Sequence, residues 1–285
     1  MDFNVYLDKI GLWEEGKIAF WDIHEKLSGK GFQNIMDDAF AAYDEGDKAF
    51  EDFLETLVAK LGYPVETLTI YFYIRISERT YENYKKLGID DEIFYSSMDD
   101  FAISSRQGVD RIGVYGIPRT PDRPWQRLIL DMKIFRLGRL QFELYNSPCD
   151  VKFNDVEIKK DEPCINVHIP GYAPLKEETC EKSYELAREF FKKYFGFEKC
   201  VFVCHSWLLA PWLSESLSEN SGIVRFQSKY KIVETTEDAS GTILYVFAKE
   251  QENPENYPED TTLQRLVKER ILKSEPLQMS LGFRI

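Results

Sequence analysis

The spacing of hydrophobic residues changes along this chain and divides it into a helical part and a part that contains a sheet. Up to about residue 104, apolar side chains recur at steps of three and four, as in residues 50–61, which is the period of amphipathic helices. Beyond residue 138, Leu140, Phe142 and Leu144 alternate with polar side chains, which is the period of a half-buried strand. The sequence therefore predicts an α+β protein: a helical N-terminal domain followed by a sheet with packed helices.

The longest predicted helix covers residues 64–87. Its middle, LTIYFYI (residues 68–74), is apolar almost all round and rich in residues that favour strands. It runs without a break into a polar stretch and ends before Gly88, a residue suited to closing a helix. We predict a buried helix here, with a strand as the alternative, and a further helix over residues 90–105.

Glycine and proline crowd residues 108–124, which is typical of a linker. We place the domain boundary in this segment, with a helical domain over residues 1–117 and a second domain over residues 118–285. Helical spacing resumes at residues 125–134. A chain of 285 residues has the length of one large or two coupled domains, and the linker favours two.

The second domain is predicted to mix strands and helices. Helices are expected at residues 176–194 and 211–217, the first with an apolar stripe that should lie on the sheet. A turn at residues 238–241 is expected to join the last two strands as a hairpin. The predicted strands cover residues 140–145, 151–159, 164–169, 200–204, 223–233 and 242–248.

Charge and cysteine content narrow the classes of partner. The formal net charge of −13, from 49 acidic and 36 basic residues, opposes binding to nucleic acid and to membrane surfaces. Five cysteines, an odd number, lie partly in apolar runs, which favours reduced thiols. Only Cys200 and Cys204 lie close together without a second such pair, so no metal site is expected. Without a leader or a membrane span in the sequence, we expect a cytoplasmic protein.

Five stretches of the second half carry a more specific signal: residues 135–143 (FRLGRLQFE), 167–170 (VHIP), 204–209 (CHSWLL), 223–227 (IVRFQ) and 262–265 (TLQR). In order and spacing they resemble a bacterial family of acyltransferase-domain proteins, in which a helical N-terminal domain precedes a GNAT-like C-terminal domain. The resemblance implies a GNAT-like mixed sheet. It also implies an N-acyltransferase that moves an acetyl or other acyl group from coenzyme A (CoA) to an amine of a small molecule or peptide. The oligomeric state stays open.

The same resemblance implies where acyl-CoA binds. In GNAT folds the acyl-pantetheine lies where two strands splay, here those at residues 164–169 and 200–204, and the pyrophosphate lies at the start of the next helix. The residues implied to bind CoA are Val167, Ile169, Gly171, Tyr172, Ala173 and Lys176. The loop departs from the usual pattern because it contains two prolines, which lack an N–H, and because Glu177 and Glu178 follow it. This departure keeps open a non-catalytic binding or scaffold protein with a degenerate CoA site.

Acylation of an amine requires a base for the incoming ammonium and an acid for the leaving thiolate. His168 ends the strand that would line the cleft, on the same face as Asn166, and histidine titrates near neutral pH. We take it as the first candidate base, against a purely structural histidine. Ser206 and Cys204 are candidate acids, and His205 is the alternative base. The structural alternative for Ser206 is to cap the helix that follows.

Other polar residues leave two further hypotheses. A pair of Cys204 and His168 across the splayed strands would suit a cysteine-dependent hydrolase, which requires a lowered pKa of the Cys204 thiol. Candidate substrate-binding residues are Glu143, on the polar face of its strand, and Arg225 and Gln227, on one face of the predicted strand 223–233. A cross-strand ladder of polar pairs is the alternative role for all three.

Overall fold

The structure is a computed structural model that describes residues 1–29, 31–119, 121–153, 156–171 and 173–284. The chain forms two compact units, Met1–Phe135 and Arg136–Ile285. The first is helical and the second carries a six-stranded mixed sheet with helices. The predicted fold class is therefore confirmed.

Helices make up the regular structure of the first unit. Their apolar stripes pack on one another around α5, whose middle is buried on all sides. The helices are α1 Phe3–Lys9, α2 Glu14–Leu27, α3 Ile35–Glu45, α4 Asp47–Leu61, α5 Val65–Leu87, α6 Asp91–Met98, α7 Asp100–Ile112 and α8 Asp122–Leu130.

Helix α5 settles the choice between helix and strand at residues 64–87. It ends at Gly88, which adopts the left-handed conformation with φ 68°, so the predicted buried helix and its C-cap are confirmed. Two of its buried hydroxyls have partners: that of Ser77 lies 2.7 Å from that of Tyr6, and that of Thr80 donates to the Leu130 carbonyl at 2.8 Å. Satisfying these groups inside the core avoids a cost of about 1–3 kcal/mol for each.

The glycine- and proline-rich segment packs against the start of α5. The Ile117 N–H donates to the Glu66 carbonyl at 3.1 Å. Gly116, at φ 140°, approaches so closely that a Cβ atom would lie 2.2 Å from the carbonyl carbon of Glu66. The predicted boundary after residue 117 precedes α8, whereas the structure includes α8 in the first unit, where Gln126 donates to the Asp100 carbonyl.

The sheet of the second unit has the strand order β1-β2-β5-β6-β8-β7, and β3 and β4 form a separate two-stranded sheet. β2 is antiparallel to β5, β5 is parallel to β6, and β8 is antiparallel to both β6 and β7. The strands are β1 Ile134–Leu137, β2 Leu140–Asn146, β3 Val151–Phe153, β4 Val156–Ile158, β5 Pro163–His168, β6 Phe202–Ser206, β7 Lys231–Glu237 and β8 Gln278–Arg284. The helices are α9 Glu177–Phe195, α10 Pro211–Ser216, α11 Gly222–Gln227, α12 Ser240–Phe247 and α13 Thr262–Leu272.

The two faces of this sheet are covered differently. On one face, Phe142 of β2 and Phe202 of β6 pack against Tyr184 of α9, with ring centroids 5.7 and 5.0 Å from that of Tyr184. On the other face, the β3–β4 hairpin packs on Cys164 and Val203. The predicted apolar stripe of α9 is thus confirmed as the contact with the sheet.

Three predicted strands are wrong. Residues 151–159 form the β3–β4 hairpin rather than one strand. Residues 223–233 contain α11 before β7 begins, because the Ser221 side chain accepts from the Ile223 N–H and starts a helix there. Of residues 242–248, all but the last lie in α12, and the strand that pairs with β7 is instead β8, from the end of the chain. The arm of the expected hairpin is therefore supplied by residues far away in the sequence.

Candidate functional site

The sheet of the second unit opens between β5 and β6. The two strands pair over Ile165 and Asn166 of β5 and residues 202–203 of β6. β5 continues to His168 and β6 to Ser206, but the pairing described between them ends at Asn166 and Val203. Diverging strand edges present N–H and C=O groups to which an extended ligand can bond. The resemblance implied that an acyl-pantetheine would lie between these two strands.

A cluster of three polar side chains lies at the end of β5 beside this opening. Glu143 of β2 is directly opposite Asn166 in the antiparallel register. The Glu143 Oε2 atom accepts from Asn166 Nδ2 at 2.9 Å and lies 2.8 Å from His168 Nε2. The His168 side chain is 24% exposed and that of Glu143 only 13% exposed, so the imidazole reaches solvent while its carboxylate partner is largely covered.

The carboxylate determines which ring nitrogen of His168 can act as a base. An ionised carboxylate only accepts hydrogen bonds, so at 2.8 Å the Nε2 atom must carry the hydrogen and donate to Glu143. The lone pair of the neutral imidazole is then on Nδ1. The carboxylate also stabilises the imidazolium that forms when Nδ1 takes up a proton. Of the predicted site residues, the structure thus joins His168 and Glu143.

The candidates on β6 are divided between the two faces of the sheet. Because Val203 is in register with Asn166 and side chains alternate along a strand, His205 shares the face of His168 and Cys204 lies on the opposite face. His205 is exposed. Cys204 is 1% exposed, and burial raises its pKa to about 12. The structure therefore does not bring Cys204 to His168, and the thiol lacks the lowered pKa that a cysteine hydrolase requires.

Ser206 caps the turn that follows it, which is the structural alternative to a role as an acid. Its Oγ atom accepts from the Leu208 N–H at 3.1 Å and caps a single 3₁₀ turn at Trp207–Leu209. Trp207 itself is buried in the core formed with α10, α12 and α13. This cap fixes the chain where it leaves β6.

The loop after β5, which was predicted to bind CoA, is held from two sides. Arg139 donates to the Ala173 carbonyl at 2.8 Å and to the Pro174 carbonyl at 3.0 Å. On the other side, a Cβ atom on Gly222 would lie 2.1 Å from the Leu175 carbonyl oxygen, so α11 begins in direct contact with the loop. Such fixing preorganises a loop for a ligand.

The other residues implied to bind CoA are distributed along the same segment. Val167 is buried in β5, while Ile169 and Gly171 are half-buried just beyond it. Lys176 is exposed and is the N-cap residue of α9. Tyr172 lies outside the described residues.

The first turn of α9 is acidic but compensated. The Glu177 carboxylate lies 2.8 Å from Lys229 Nζ and 3.3 Å from Arg225 Nη1, and its pKa is lowered chiefly by the hydrogen bond from Lys229. Arg225 lies in α11, and Lys229 lies two residues after its end. Arg225 and Gln227 are therefore on a helix, and the prediction that they lie on a strand is wrong. Gln227 donates to the Ala210 carbonyl at 2.8 Å. The sequence analysis missed Lys229. Its spacing of four from Arg225 would have indicated the pair of cations if the segment had been predicted to be helical.

Two other features, a metal site and a membrane-spanning helix, are absent from the described ranges. Histidine, cysteine and acidic residues there form no group of three suited to a metal ion. None of the helices there combines the length and the apolar character that a membrane crossing needs.

Comparison with protein-family models matches both halves of the chain. Residues 1–132 match the N-acyltransferase N-terminal domain, and residues 134–284 match the GNAT-like C-terminal domain. The search of curated proteins found no matching sequence.

Solved structures with the same fold are acyltransferases. A crystal structure of an acyltransferase in complex with decanoyl-CoA and teicoplanin superposes with a TM-score of 0.74 at 19% identity, over 99% of this chain and 86% of that one. An acyltransferase in complex with decanoyl-CoA gives a TM-score of 0.68 at 20% identity, over 100% of this chain and 99% of that one. A mutant acyltransferase in complex with octanoyl-CoA gives 0.73 at 18% identity, over 98% and 85%.

Proposed function

This chain belongs to the proteins that join an N-acyltransferase N-terminal domain to a GNAT-like C-terminal domain, and from that premise we propose that it transfers a medium-length acyl group from CoA to an amine, with His168 as the general base. The acceptor is an amine of a small molecule or peptide. Octanoyl-CoA and decanoyl-CoA in structures of the same fold support the acyl length, and teicoplanin in one of them supports an acceptor larger than a single amino acid.

One observation carries the proposal: the Glu143–His168–Asn166 cluster lies at the end of β5, where the β5–β6 ladder ends. An extended pantetheine bonded to the strand edges in the opening brings its thioester to the ends of the strands. A base at that point meets the reacting atoms, since productive proton transfer needs contact at about 2.6–3.2 Å.

The transfer then runs with His168 moving one proton. Nδ1 takes the proton of the incoming ammonium, and Nε2–H stays bonded to Glu143. The amine nitrogen attacks the thioester carbonyl carbon and forms the C–N bond. As the C–S bond breaks, the imidazolium gives its proton to the departing thiolate and the former amine nitrogen releases its second proton to water, which restores the base and yields CoA and the neutral amide. Acid–base catalysis of this kind contributes about 10²–10⁴-fold.

The test is release of free CoA thiol from acetyl-, octanoyl- and decanoyl-CoA in the presence of amine acceptors. We expect turnover with the eight- and ten-carbon chains, and a loss of roughly 100-fold or more in kcat for His168→Gln. His205→Gln is the matched control, because His205 is exposed on the same face without the Glu143 contact, and it should keep its rate. Turnover that survives His168→Gln rejects His168 as the base.

A second candidate, a non-catalytic binding or scaffold protein with a degenerate CoA site, is favoured by one contact. The Glu177 carboxylate already occupies the two cations, Arg225 and Lys229, that stand at the start of α9. A protein of this kind would show no CoA binding in calorimetry and would release no thiol from acyl-CoA with any acceptor. The same assay therefore separates the two candidates.

A further inference from the structure

The first unit contains a cavity of about 250 Å³ that the proposed reaction does not use. It lies between α2, the start of α3 and α5. Its lining combines apolar side chains, from Leu27, Phe32, Ile35 and Met36, with polar ones. Small-molecule sites are typically concave and mostly apolar, with a few convergent polar groups.

Those polar groups converge at the base of the cavity. Arg75 Nη1 lies 3.3 Å from both His24 Nδ1 and the Tyr71 hydroxyl, and these two are themselves 3.2 Å apart. The Arg75 side chain is 19% exposed. Its Nη2 atom donates no hydrogen bond to the described residues, and its Nε atom meets Glu78 only at 3.5 Å.

The charge balance selects a particular kind of ligand. Burial and the neighbouring Arg75 lower the pKa of His24, so the histidine is neutral at neutral pH and the guanidinium is the cation at the base. A planar carboxylate matches a guanidinium in geometry. Asp37 lines the same cavity and Glu78 lies behind Arg75, so a ligand with two negative charges meets more repulsion than one with a single charge.

We infer that this cavity binds a small monocarboxylate with an apolar tail, the carboxylate on Arg75 and Tyr71 and the tail between Leu27 and Met36. The site belongs to the helical unit and is independent of the proposed acyl transfer. Burial of a tail removes apolar surface from water and adds affinity with each methylene. Affinity should therefore depend on both the charge and the chain.

Calorimetric titration of the full chain with octanoate, at saturating decanoyl-CoA so that its chain fills the acyl site, tests the inference. We expect one saturable site, with octanamide and acetate each weaker by at least about tenfold. Arg75→Gln should weaken octanoate by a similar factor because it removes the cation. Met36→Trp should do the same because it fills the cavity and keeps the cation.

Two controls match these variants. Arg79→Gln removes a cation one turn along α5 that pairs with Asp44, and Ile18→Trp adds the same bulk at an exposed position of α2. Both should bind octanoate within about twofold of the unchanged chain. If circular dichroism shows that one test variant is unfolded, the other variant and the comparison of octanoate with octanamide decide whether the inference holds. No octanoate binding, or equal binding to octanoate and octanamide, or unchanged binding in the folded test variants, overturns the inference.

Discussion

At the scale of single residues, the carboxylate of Glu143 decides how His168 can act. It fixes the hydrogen on Nε2 through a contact of 2.8 Å and so holds the ring against rotation, while Asn166 donates to the same carboxylate oxygen. A histidine without such a partner distributes its hydrogen between two nitrogens and presents the wrong one part of the time. Glu143 thus acts through His168 as a positioning residue in the proposed mechanism.

We therefore predict that Glu143→Gln lowers kcat of acyl transfer by at least about 100-fold, because an amide at this position can donate to Nε2 and stabilise the opposite tautomer. KM for acyl-CoA should change little, since Glu143 holds the base and not the cofactor. Steady-state kinetics separates the two parameters. Gln141→Glu, on the same strand and face, is the control for a change in local charge, and a loss in KM alone would contradict the positioning role.

The thiols lead to a second prediction at this scale. Burial raises the pKa of each of the five cysteines, for Cys164 and Cys204 to about 12. The reactive thiolate is therefore scarce at neutral pH. Iodoacetamide should alkylate the folded protein far more slowly than free cysteine, and denaturant should restore the ordinary rate. Mass spectrometry gives the count of modified residues, and rapid labelling of Cys204 in the folded state would revive the hydrolase hypothesis.

At the scale of elements, α9 and α11 together make the start of α9 suitable for an anion. The helix start carries partial positive charge. Arg225 of α11 and Lys229, two residues beyond its end, add two cations, but Glu177 already binds both. A phosphate of CoA at this place competes with an internal carboxylate. The departure from the usual pyrophosphate loop is thus partly compensated by a neighbouring helix.

This competition predicts that Glu177→Gln strengthens CoA binding by about three- to tenfold, since the variant frees Lys229 and Arg225 for the phosphates. Glu178→Gln is the matched control. It removes the same charge from the same turn, and in the described part of the chain Glu178 forms no ion pair. Calorimetry with CoA measures both. Equal effects of the two variants would show that only the net charge matters, and that α11 takes no part.

The elements also show how far the sequence could predict the molecule. Local period sufficed for α5, β2 and α9, because each buries one recurrent set of apolar side chains, and the family resemblance is confirmed. Local period failed at residues 242–248, because an apolar run there suits a strand and a buried helix equally. What separates the two outcomes is that β8 pairs with β7 in place of this segment. His168 was found as a candidate base, but its contact with Glu143 depends on the β2–β5 register, which is a long-range property.

At the scale of the whole molecule, both units bury tyrosines as well as phenylalanines in their cores. The chain has 16 tyrosines, and many hydroxyls are enclosed in the cores, where burial penalises the tyrosinate and raises the pKa of the group. Those with the strongest shifts are Tyr6, Tyr43, Tyr73, Tyr84, Tyr115, Tyr184 and Tyr230. Stability must therefore depend on pH in the alkaline range.

The sign follows from proton binding. In the unfolded chain a tyrosine loses its proton near pH 10, whereas the folded chain keeps it, so above pH 10 the folded state binds more protons and its stability falls as pH rises. Each such tyrosine removes up to about 1.4 kcal/mol per pH unit. Below pH 10 these groups leave stability unchanged. With several tyrosines acting together, we expect cooperative unfolding shortly above pH 10.

Tyrosinate absorbance and circular dichroism, recorded in one alkaline titration, check this expectation. Exposed tyrosines should ionise first, and the enclosed ones should ionise only as the helical signal is lost. In denaturant all 16 should ionise in a single step near pH 10. Ionisation of every tyrosine near pH 10 with the helical signal intact would mean that water reaches these hydroxyls, and that the cores of both units are more open than their packed rings indicate.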